Sequence, residues 1–379
     1  MGWPTLVVAS CLAGAACVAP TGDEDGSAPT PWEITPATTI DDGTAYWPGA
    51  QWRTAMPAQV GMDSAAMATL SRDARRRRWP TLRSLLVVHR GYLVLNEYIR
   101  GGHPDSLEQI QGVSATVTGL LVGVAARAGL VDPQDGIAQF FPEYADVSSL
   151  TRFGIRVDHL LAMRSCLGFY DASGRLGAFN QYSSDWLRMI FESGVHDAPG
   201  ERWDYSSADA IVLGGILHAV TDEPADAYAR HALFAPLGIT RFAWATGQPN
   251  GLPHMGLGLS LTAPDMARIG YLMLRNGQWN GAPIVSDTWI AGMRERKSTN
   301  IGRWSTYPLA YGRMLWILPP VGGAAGDGDV LAASGGGGQW ILVVPGKDLV
   351  VVATGDAVAT ANFAEPLSVL YDIVVPATH

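Results

Sequence analysis

The sequence predicts an α/β fold of the α+β type, in which an antiparallel sheet is flanked by helices and carries an inserted helical lobe. Short β-type runs occupy residues 83–99 and return over residues 311–354. Between about residues 133 and 276 the apolar spacing is mostly helical. Strands from both chain ends with a helical middle indicate one interrupted α/β domain, and ligand sites favour the seam between two such lobes.

Composition supports a folded, non-nucleic-acid-binding protein. The 379 residues include 26 basic and 35 acidic side chains, for a formal charge of −9; 47% are hydrophobic and only 16% charged. These values exclude a disordered chain, a coiled coil and a typical basic nucleic-acid binder. The length allows two or three domains, but no low-complexity break follows Pro57. We therefore predict one folded unit over residues 57–379.

The first 17 residues predict a secretion leader. They carry no charge, and Leu6–Ala16 is apolar but too short to span a bilayer. Small residues precede Cys11 and Cys17, as at a bacterial lipoprotein cleavage site. We expect an exported protein, either a periplasmic or membrane-anchored lipoprotein or a secreted one; a frayed apolar terminus is the alternative. Residues 18–56 then predict a flexible linker, rich in Thr, Pro, Gly and acids at its start.

The first elements of the domain follow from local patterns. Ser64–Arg78 has helical spacing and ends in four arginines, interpreted as a solvated helix end rather than a lipid or nucleic-acid contact. Arg83–His89 and Tyr92–Ile99 flank Arg90-Gly91, which is typical of a two-residue hairpin. Apolar residues recur at helical spacing from about Gly112 to Ala128, and Gly129 predicts the stop.

Later segments alternate in the same way. Helices are expected at residues 159–163, 185–192, 208–220, 225–234 and 264–275, with a closing helix over 361–373. Short strands are expected at residues 311–317, 330–334, 339–344 and 349–354.

Common metal and cofactor motifs do not occur in the sequence. There is no HExxH, CxxC, Walker A or GxSxG, and no GxGxxG follows a strand. The eight histidines have no metal-ligand spacing. We therefore expect no metal and no cofactor.

Seven segments in order resemble the serine β-lactamase-like superfamily: class C β-lactamases, DD-peptidases, related esterases and, most closely, 6-aminohexanoate-oligomer hydrolases. The resemblance covers nearly all of residues 57–375 and implies the β-lactamase/transpeptidase-like fold. The segments are Val60–Ser64, the hairpin, Ile110-Gln111, His159–Met163, Pro199–Ser207, Gly258–Arg268 and Ala333–Gln339.

The resemblance implies three catalytic elements. In Ser-x-x-Lys, the Ser is acylated and the Lys, one helical turn later, takes its proton. The second element is Tyr-x-Asn or Tyr-x-Ser, whose Tyr relays protons, and it corresponds here to Tyr205-Ser206-Ser207. The third is a Lys/His/Ala-Thr/Ser-Gly strand, here Ala333-Ser334-Gly335, which contributes to the oxyanion hole together with the nucleophile's N–H.

The first element departs from the family pattern. The nucleophile position falls on Gly112 and the Lys position on Ala115, so both reacting groups are missing. Ser114 lies about 200° further round the helix than Gly112 and would point away from the cleft. A hydroxyl bonded to the carbonyl one turn back is the expected role of Ser114.

Other positions carry smaller expectations. Cys166 stands where relatives usually have Gly; it is either a replacement nucleophile or a buried structural thiol, and the latter is favoured. Tyr170 and Asp171 lie where relatives contact substrate, with loop packing as the alternative. Gly335–Gly338 is compatible with an N–H concavity for an anion or carbonyl, or with a tight crossing beside the helix start.

We predict a catalytically impaired homologue that keeps a cleft for a carbonyl- or carboxylate-bearing ligand, such as a peptidoglycan fragment or amide oligomer. The alternative is an active hydrolase of amides, esters or β-lactams whose nucleophile is displaced to Ser114, Ser207 or Cys166. An engineered double knock-out is a third possibility. No nucleic-acid partner is expected, and membrane contact only through a lipid anchor. The predicted cleft residues are Gly112, Ala115, Tyr205, Ser207, Ser334 and Gln339, with Tyr170, Asp171 and Gly335 as further ligand contacts.

Overall fold

The computed structural model describes residues 46–171, 185–246, 251–304, 307–321, 328–356 and 364–379. The predicted leader and residues 18–45 of the predicted linker lie outside these ranges. No helix among the described residues has the length and apolar character that crossing a membrane requires.

An eight-stranded antiparallel sheet forms the centre of the domain, in the order β2-β1-β13-β12-β11-β10-β9-β8. Strands from the two ends of the chain meet where β1 pairs with β13, for example Leu86 opposite Val352. The predicted α+β class, with a sheet assembled from both chain ends, is therefore confirmed. The strands of this sheet are β1 (Leu82–His89), β2 (Tyr92–Tyr98), β8 (Ser298–Trp304), β9 (Tyr307–Tyr311), β10 (Trp316–Leu318), β11 (Val330–Gly335), β12 (Gln339–Val344) and β13 (Leu349–Gly355).

Two smaller sheets accompany it. The strands β3 (Glu108–Gln109), β5 (Leu259–Leu261) and β4 (Ala243–Trp244) pair in that order, and β6 (Gln278–Trp279) pairs with β7 (Ala282–Pro283). The β3–β5 pair matters for the site because it lies immediately before the long buried helix.

Most of the helical residues that the structure describes lie between the two groups of strands. The α-helices are α1 (Ser64–Arg75), α2 (Val113–Arg127), α3 (Ser148–Arg152), α4 (Val157–Leu161), α5 (Trp186–Glu192), α6 (Ser207–Thr221), α7 (Ala225–Ala229), α8 (Ala263–Leu274), α9 (Asp287–Arg294) and α10 (Ala364–Ser368). Wider π turns continue α7 over Arg230–Phe234 and α10 over Val369–Val374. Single 3-10 turns lie at Pro57–Val60, Ile137–Phe140, Pro142–Tyr144 and Pro345–Lys347.

Alternation along the strands gives the sheet two buried faces. Leu86 and Val88 of β1 pack in one apolar cluster, together with α2, α6 and α8. Leu85 and Val87 pack in the other, together with α1 and the C-terminal helix. Because successive strand residues point to opposite sides, a sheet covered by helices on both faces needs such continuous apolar runs.

The Arg90-Gly91 turn is the predicted hairpin. Both residues have positive φ, 50° and 83°, as a two-residue turn matched to the strand twist requires. A Cβ on residue 91 would lie 2.7 Å from the Tyr271 hydroxyl, so glycine is needed there for space as well as for conformation.

Several boundaries differ from the sequence expectation. The strand expected over residues 311–317 is two strands, β9 and β10, because the chain reverses at Gly312–Leu315, where Met314 adopts a φ of 51°. The helix expected over 225–234 widens into a π turn at Arg230, and α9 and β8 were not predicted. The described part of the closing helix begins at Ala364.

The last part of the predicted linker packs on the domain. Trp47 and Trp52 both contact the ring of Tyr271 edge-on, with centroids 5.6 Å and 5.7 Å away. Thr54 forms a parallel bridge with Leu93, and Ala55 is fully buried. The packed region therefore already includes residues 46–56, which composition alone assigned to the linker.

Candidate active site

The start of α2 lies between two strand systems. The Ile110 N–H donates to the Leu259 carbonyl at 2.9 Å, which fixes the chain just before the helix. Gln111 then adopts a φ of 50°, and Gly112 turns into the helix with φ −58° and ψ −15°. Every residue from Val113 to Ala125 is buried, so α2 is held on all sides.

Gly112 has no room for a side chain. A Cβ placed on this residue would lie 2.7 Å from the Ser334 carbonyl oxygen and 2.8 Å from the Tyr205 hydroxyl. Both distances are shorter than a carbon–oxygen contact allows. Three residues predicted to share the cleft, Gly112, Tyr205 and Ser334, are therefore adjacent. Tyr205 and Ser334 occupy the space that a side chain on residue 112 would need.

The glycine of the third motif is required by the same crossing. A Cβ on Gly335 would overlap the Ile110 carbonyl and lie 3.0 Å from both the Gly112 nitrogen and Gln111 Cβ. The backbone of β11 thus touches the backbone before α2. This geometry matches the tight-crossing alternative for the start of the glycine run.

The other two positions on α2 are enclosed. Ala115 is 1% exposed. Ser114 is fully buried, and its Oγ accepts the N–H of Leu259 at 3.1 Å. Ser114 therefore ties α2 to β5, which differs from the expected bond to a carbonyl one turn back. The described neighbourhood gives Ser114 Oγ no surface from which to reach a ligand.

Asp171 forms hydrogen bonds to both ends of the Tyr205-Ser206-Ser207 motif. Its N–H donates to the Tyr205 carbonyl at 3.0 Å, and its carboxylate accepts the Ser207 N–H at 2.7 Å and the Ser207 hydroxyl at 2.9 Å. Burial raises the pKa of Asp171 to about 6, although the two Ser207 hydrogen bonds oppose the rise. Asp171 thus positions the motif through contacts on both sides of it.

Tyr205 belongs to an aromatic cluster formed with the β9–β10 turn. Its ring stacks on Trp316 at 5.6 Å with an interplanar angle of 11°, and it meets Tyr311 edge-on at 6.3 Å. Trp203 packs against both Tyr311 and Trp316. Burial, and secondarily the Asp171 charge, raises the pKa of Tyr205, so its hydroxyl keeps its proton.

A buried carboxyl group below the motif was missed by sequence reasoning. Asp209 is fully buried; its Oδ1 accepts the Ser165 hydroxyl at 2.6 Å and the Ser206 hydroxyl at 3.1 Å. Its Oδ2 is buried without a partner among the described residues. Burial raises the pKa of Asp209 to about 7. The available signal was its place two residues after the motif, in the first turn of α6, where Ser206 caps the helix.

The third-motif side chains are also buried. Ser334 is 6% exposed, and its Oγ has no partner within the described structure. Gln339, opposite Gly335 across the β11–β12 hairpin, donates from Nε2 to the Gly355 carbonyl at 2.7 Å, while its Oε1 is buried without a partner there. The Ser334 atom nearest Gly112 is the backbone oxygen.

Cys166 is a packed thiol in an unusual backbone conformation. Its φ is 59°, a left-handed value that explains why glycine suits this position in the resembling family. Its Sγ lies 3.3 Å from the Ala198 carbonyl, and burial raises the pKa of the thiol. A raised pKa lowers the thiolate fraction, which is the opposite of nucleophile activation.

Tyr170 lies on the outer side of the same loop. Its ring centroid is 5.2 Å from that of His196, and its chain neighbour Asp171 turns inward to Ser207. Among the described ranges no group of three or more His, Cys, Asp or Glu side chains is arranged to hold a metal ion.

Comparisons with known proteins agree on one family. The sequence profile described as Beta-lactamase matches residues 65–365. The chain is 28% identical over 330 residues to the 6-aminohexanoate-dimer hydrolase of Paenarthrobacter ureafaciens, covering 79% of each protein. Its fold is similar to that of the octameric penicillin-binding protein homologue from Pyrococcus abyssi, with a TM-score of 0.61, 19% identity and coverage of 81% of this chain and 76% of that one.

A family VIII carboxylesterase is similar in the same way, with a TM-score of 0.63, 16% identity and coverage of 84% of this chain and 99% of that one. Because these two structures are below 25% identical to the chain, they establish only the β-lactamase/transpeptidase-like fold. The profile match spans most of the sequence and establishes the family. The chain therefore belongs to the β-lactamase family of serine hydrolase-related proteins.

Proposed function

We propose that this chain is a catalytically impaired β-lactamase homologue that retains a ligand-binding cleft. The observation that carries the proposal is the filled space at Gly112, where the Ser334 carbonyl and the Tyr205 hydroxyl stand in place of a nucleophile's side chain. Loss of the serine alone would leave a hole. Here the two neighbouring groups lie too close to readmit a side chain without moving.

The size of the catalytic deficit supports this reading. Removing the nucleophile of a serine hydrolase costs roughly 10⁶ in turnover, or about 8 kcal/mol of barrier. Binding and an oxyanion hole alone leave roughly 10³–10⁴ over water. General acid–base help from a group such as Tyr205 contributes about 10²–10⁴ and cannot replace a covalent route.

The proposed ligand is a linear amide or ester bearing a carbonyl or carboxylate, such as an amide oligomer or a peptidoglycan fragment. The support is the 6-aminohexanoate-dimer hydrolase relative, whose name specifies a dimer of an amino acid. The Ser334 hydroxyl on β11 and the Gln339 side-chain oxygen on β12 are buried and have no hydrogen-bond partner among the described residues. Buried polar atoms of this kind favour a ligand that supplies their missing partners.

Turnover of a β-lactam, a p-nitrophenyl ester and a linear amide tests the proposal. We expect rates far below those of active relatives, and no change on Tyr205→Phe beyond the change in ligand affinity. A rate near that of active relatives that is abolished by Tyr205→Phe would contradict it. The companion variant, Gly112→Ser with Ala115→Lys, tests whether the rest of the site supports hydrolysis once a serine and a lysine stand at these positions.

A second candidate function is hydrolysis through a displaced nucleophile, and one contact favours Ser207. Its hydroxyl donates to the Asp171 carboxylate at 2.9 Å, and burial raises the pKa of that carboxyl to about 6, within the range of a general base. Against it, Ser207 is fully buried. Ser114 and Cys166 are engaged in packing, as described above.

An electrophilic probe with intact-mass readout separates the two functions. A fluorophosphonate or a β-lactam should leave the wild-type mass unchanged if the chain is impaired. One stoichiometric adduct that maps to Ser207, and that disappears in Ser207→Ala but persists in Ser114→Ala, would establish the displaced nucleophile instead.

We also propose export with a lipid anchor, supported by the uncharged leader and the cysteines at positions 11 and 17. Metabolic labelling with a fatty-acid analogue tests this. Label should be lost in Cys17→Ala or in Cys11→Ala, and the variant that loses it identifies the anchored residue; retention of label in the double variant would contradict a cysteine anchor.

A further inference from the structure

The C-terminal end of α1 carries an arginine cluster that the proposed function does not use. The basic patch consists of Arg72, Arg75, Arg76, Arg77 and Arg78, all of them exposed. The opposite side of α1 packs into the core through Met67, Leu70 and Ala74. Arg72 and Arg76 are four residues apart and share the outer face of the helix, and Arg77 and Arg78 continue the patch into the following turn.

Two of the five arginines are paired with acids. Arg75 binds Glu97 of β2 at 2.8 Å, and Arg78 binds Asp73 at 2.7 Å. Arg72 donates to the Thr69 hydroxyl, and neither Arg76 nor Arg77 forms an ion pair with any acid that the structure describes. Five arginines and two acids leave the patch at +3, on a chain whose formal charge is −9.

This uneven distribution of charge determines which class of partner the protein attracts and which face of the protein that partner contacts. With the patch at +3, the remainder of the chain carries −12. A polyanionic surface is repelled by the net charge of the molecule and attracted by the patch, so the patch would set its orientation. A helix C-terminus accounts for one or two stabilising cations by the macrodipole, but that effect fades within the last turn, and Arg77 and Arg78 lie beyond it.

We propose that the basic patch, which the local sequence alone indicates as a solvated helix end, docks this domain onto an anionic phospholipid surface. The predicted lipid attachment supports this occupant, because residues 18–45 are all that separates the predicted leader from the described domain, so an acylated cysteine would keep the domain near the bilayer. Arginines close to an anionic membrane each add an attraction that falls off within a Debye length. Binding through the patch would hold the anchored domain in one orientation relative to the membrane.

Vesicle co-sedimentation tests the proposal on the full chain carrying Cys11→Ser and Cys17→Ser, so that no acyl group contributes. Vesicles of phosphatidylcholine alone are compared with vesicles containing about one third phosphatidylglycerol, in low salt and in about 0.5 M salt. We expect binding only to the anionic vesicles, weakened by salt. The variant Arg72→Gln, Arg76→Gln, Arg77→Asn should bind about a hundredfold more weakly, at about fivefold for each arginine removed.

The matched control removes the same charge elsewhere. Arg152→Gln, Arg230→Gln and Arg241→Gln are exposed substitutions in the segment between residues 133 and 276. Both triple variants should have the same free energy of unfolding as the parent protein. An equal loss of vesicle binding in the control, equal binding to neutral vesicles, or patch-dependent binding to duplex DNA without vesicle binding would each overturn the proposal.

Discussion

Gly112→Ser should destabilise the protein, although the family resemblance predicts a nucleophilic serine at this position. The new Cβ would lie 2.7 Å from the Ser334 carbonyl oxygen and 2.8 Å from the Tyr205 hydroxyl. Relieving both contacts requires movements of several tenths of an ångström in a strand backbone and in a stacked ring. Overpacking of this size costs about 1–3 kcal/mol.

One opposing effect reduces that cost. Gly112 has φ −58° and ψ −15°, which any L-residue adopts without strain. Replacing glycine at a compatible position stabilises by about 0.4–1 kcal/mol, because the unfolded chain loses freedom. The steric term is the larger, so we expect a net loss of about 1–2 kcal/mol.

Urea unfolding of a double-mutant cycle measures the effect and its cause. Tyr205→Phe removes the hydroxyl that meets the new Cβ, so Gly112→Ser should cost less in that background, with a coupling of at least about 0.5 kcal/mol. Gly136→Ser is the matched control: a Cβ there meets nothing within 4 Å, and we expect a change within about 0.5 kcal/mol. Equal free energies of unfolding for Gly112→Ser and Gly136→Ser, without coupling to Tyr205, would refute the filled-space argument.

Three further outcomes are expected. Because burial raises the pKa of Asp209 from 3.8 to about 7, the folded state keeps a proton that the unfolded state releases; the free energy of unfolding should fall between pH 4 and pH 7, by on the order of 4 kcal/mol from this group. Urea titrations should show a flatter pH dependence for Asp209→Asn, and an unchanged slope would contradict the assignment. Cys166→Val should lose about 1–3 kcal/mol of unfolding free energy, because a β-branched residue is strained at a φ of 59°, whereas Cys166→Gly should be tolerated. In protein carrying Cys11→Ser and Cys17→Ser, iodoacetamide should label Cys166 only on unfolding, and rapid native labelling would show an activated thiol instead. Gly123→Ala should lower the free energy of unfolding by about 1–3 kcal/mol, because the methyl group would overlap Trp289, whose indole donates to the Gly119 carbonyl at 3.0 Å. Thermal unfolding measures this loss. Gly129→Ala, where the space is open but φ is 73°, separates the steric cost from the conformational cost.

Local pattern determined much of the fold. The hairpin at Arg90-Gly91, the buried helix after Gly112 and the strands β12 and β13 follow from periodicity and turn chemistry, because these signals act between residues close in sequence. The β9–β10 break was missed because it depends on a turn packed against distant α9, which no local apolar run reveals. Residues 46–56 were assigned to the linker for the same reason, since Trp47 and Trp52 pack on Tyr271, more than 200 residues away in sequence.

The motifs identified the residues of the candidate site, and the tertiary structure determined how those residues are packed and hydrogen-bonded. The sequence gives glycine at residue 112 and alanine at residue 115, and the family resemblance predicts that these are the positions of the nucleophile and the base. Only the folded arrangement decided that the space beside Gly112 is filled by the Ser334 carbonyl and the Tyr205 hydroxyl, that Asp171 holds Ser207, and that Asp209 is buried beneath them. Distances between residues far apart in the chain arise from packing, and packing is a property of the whole fold.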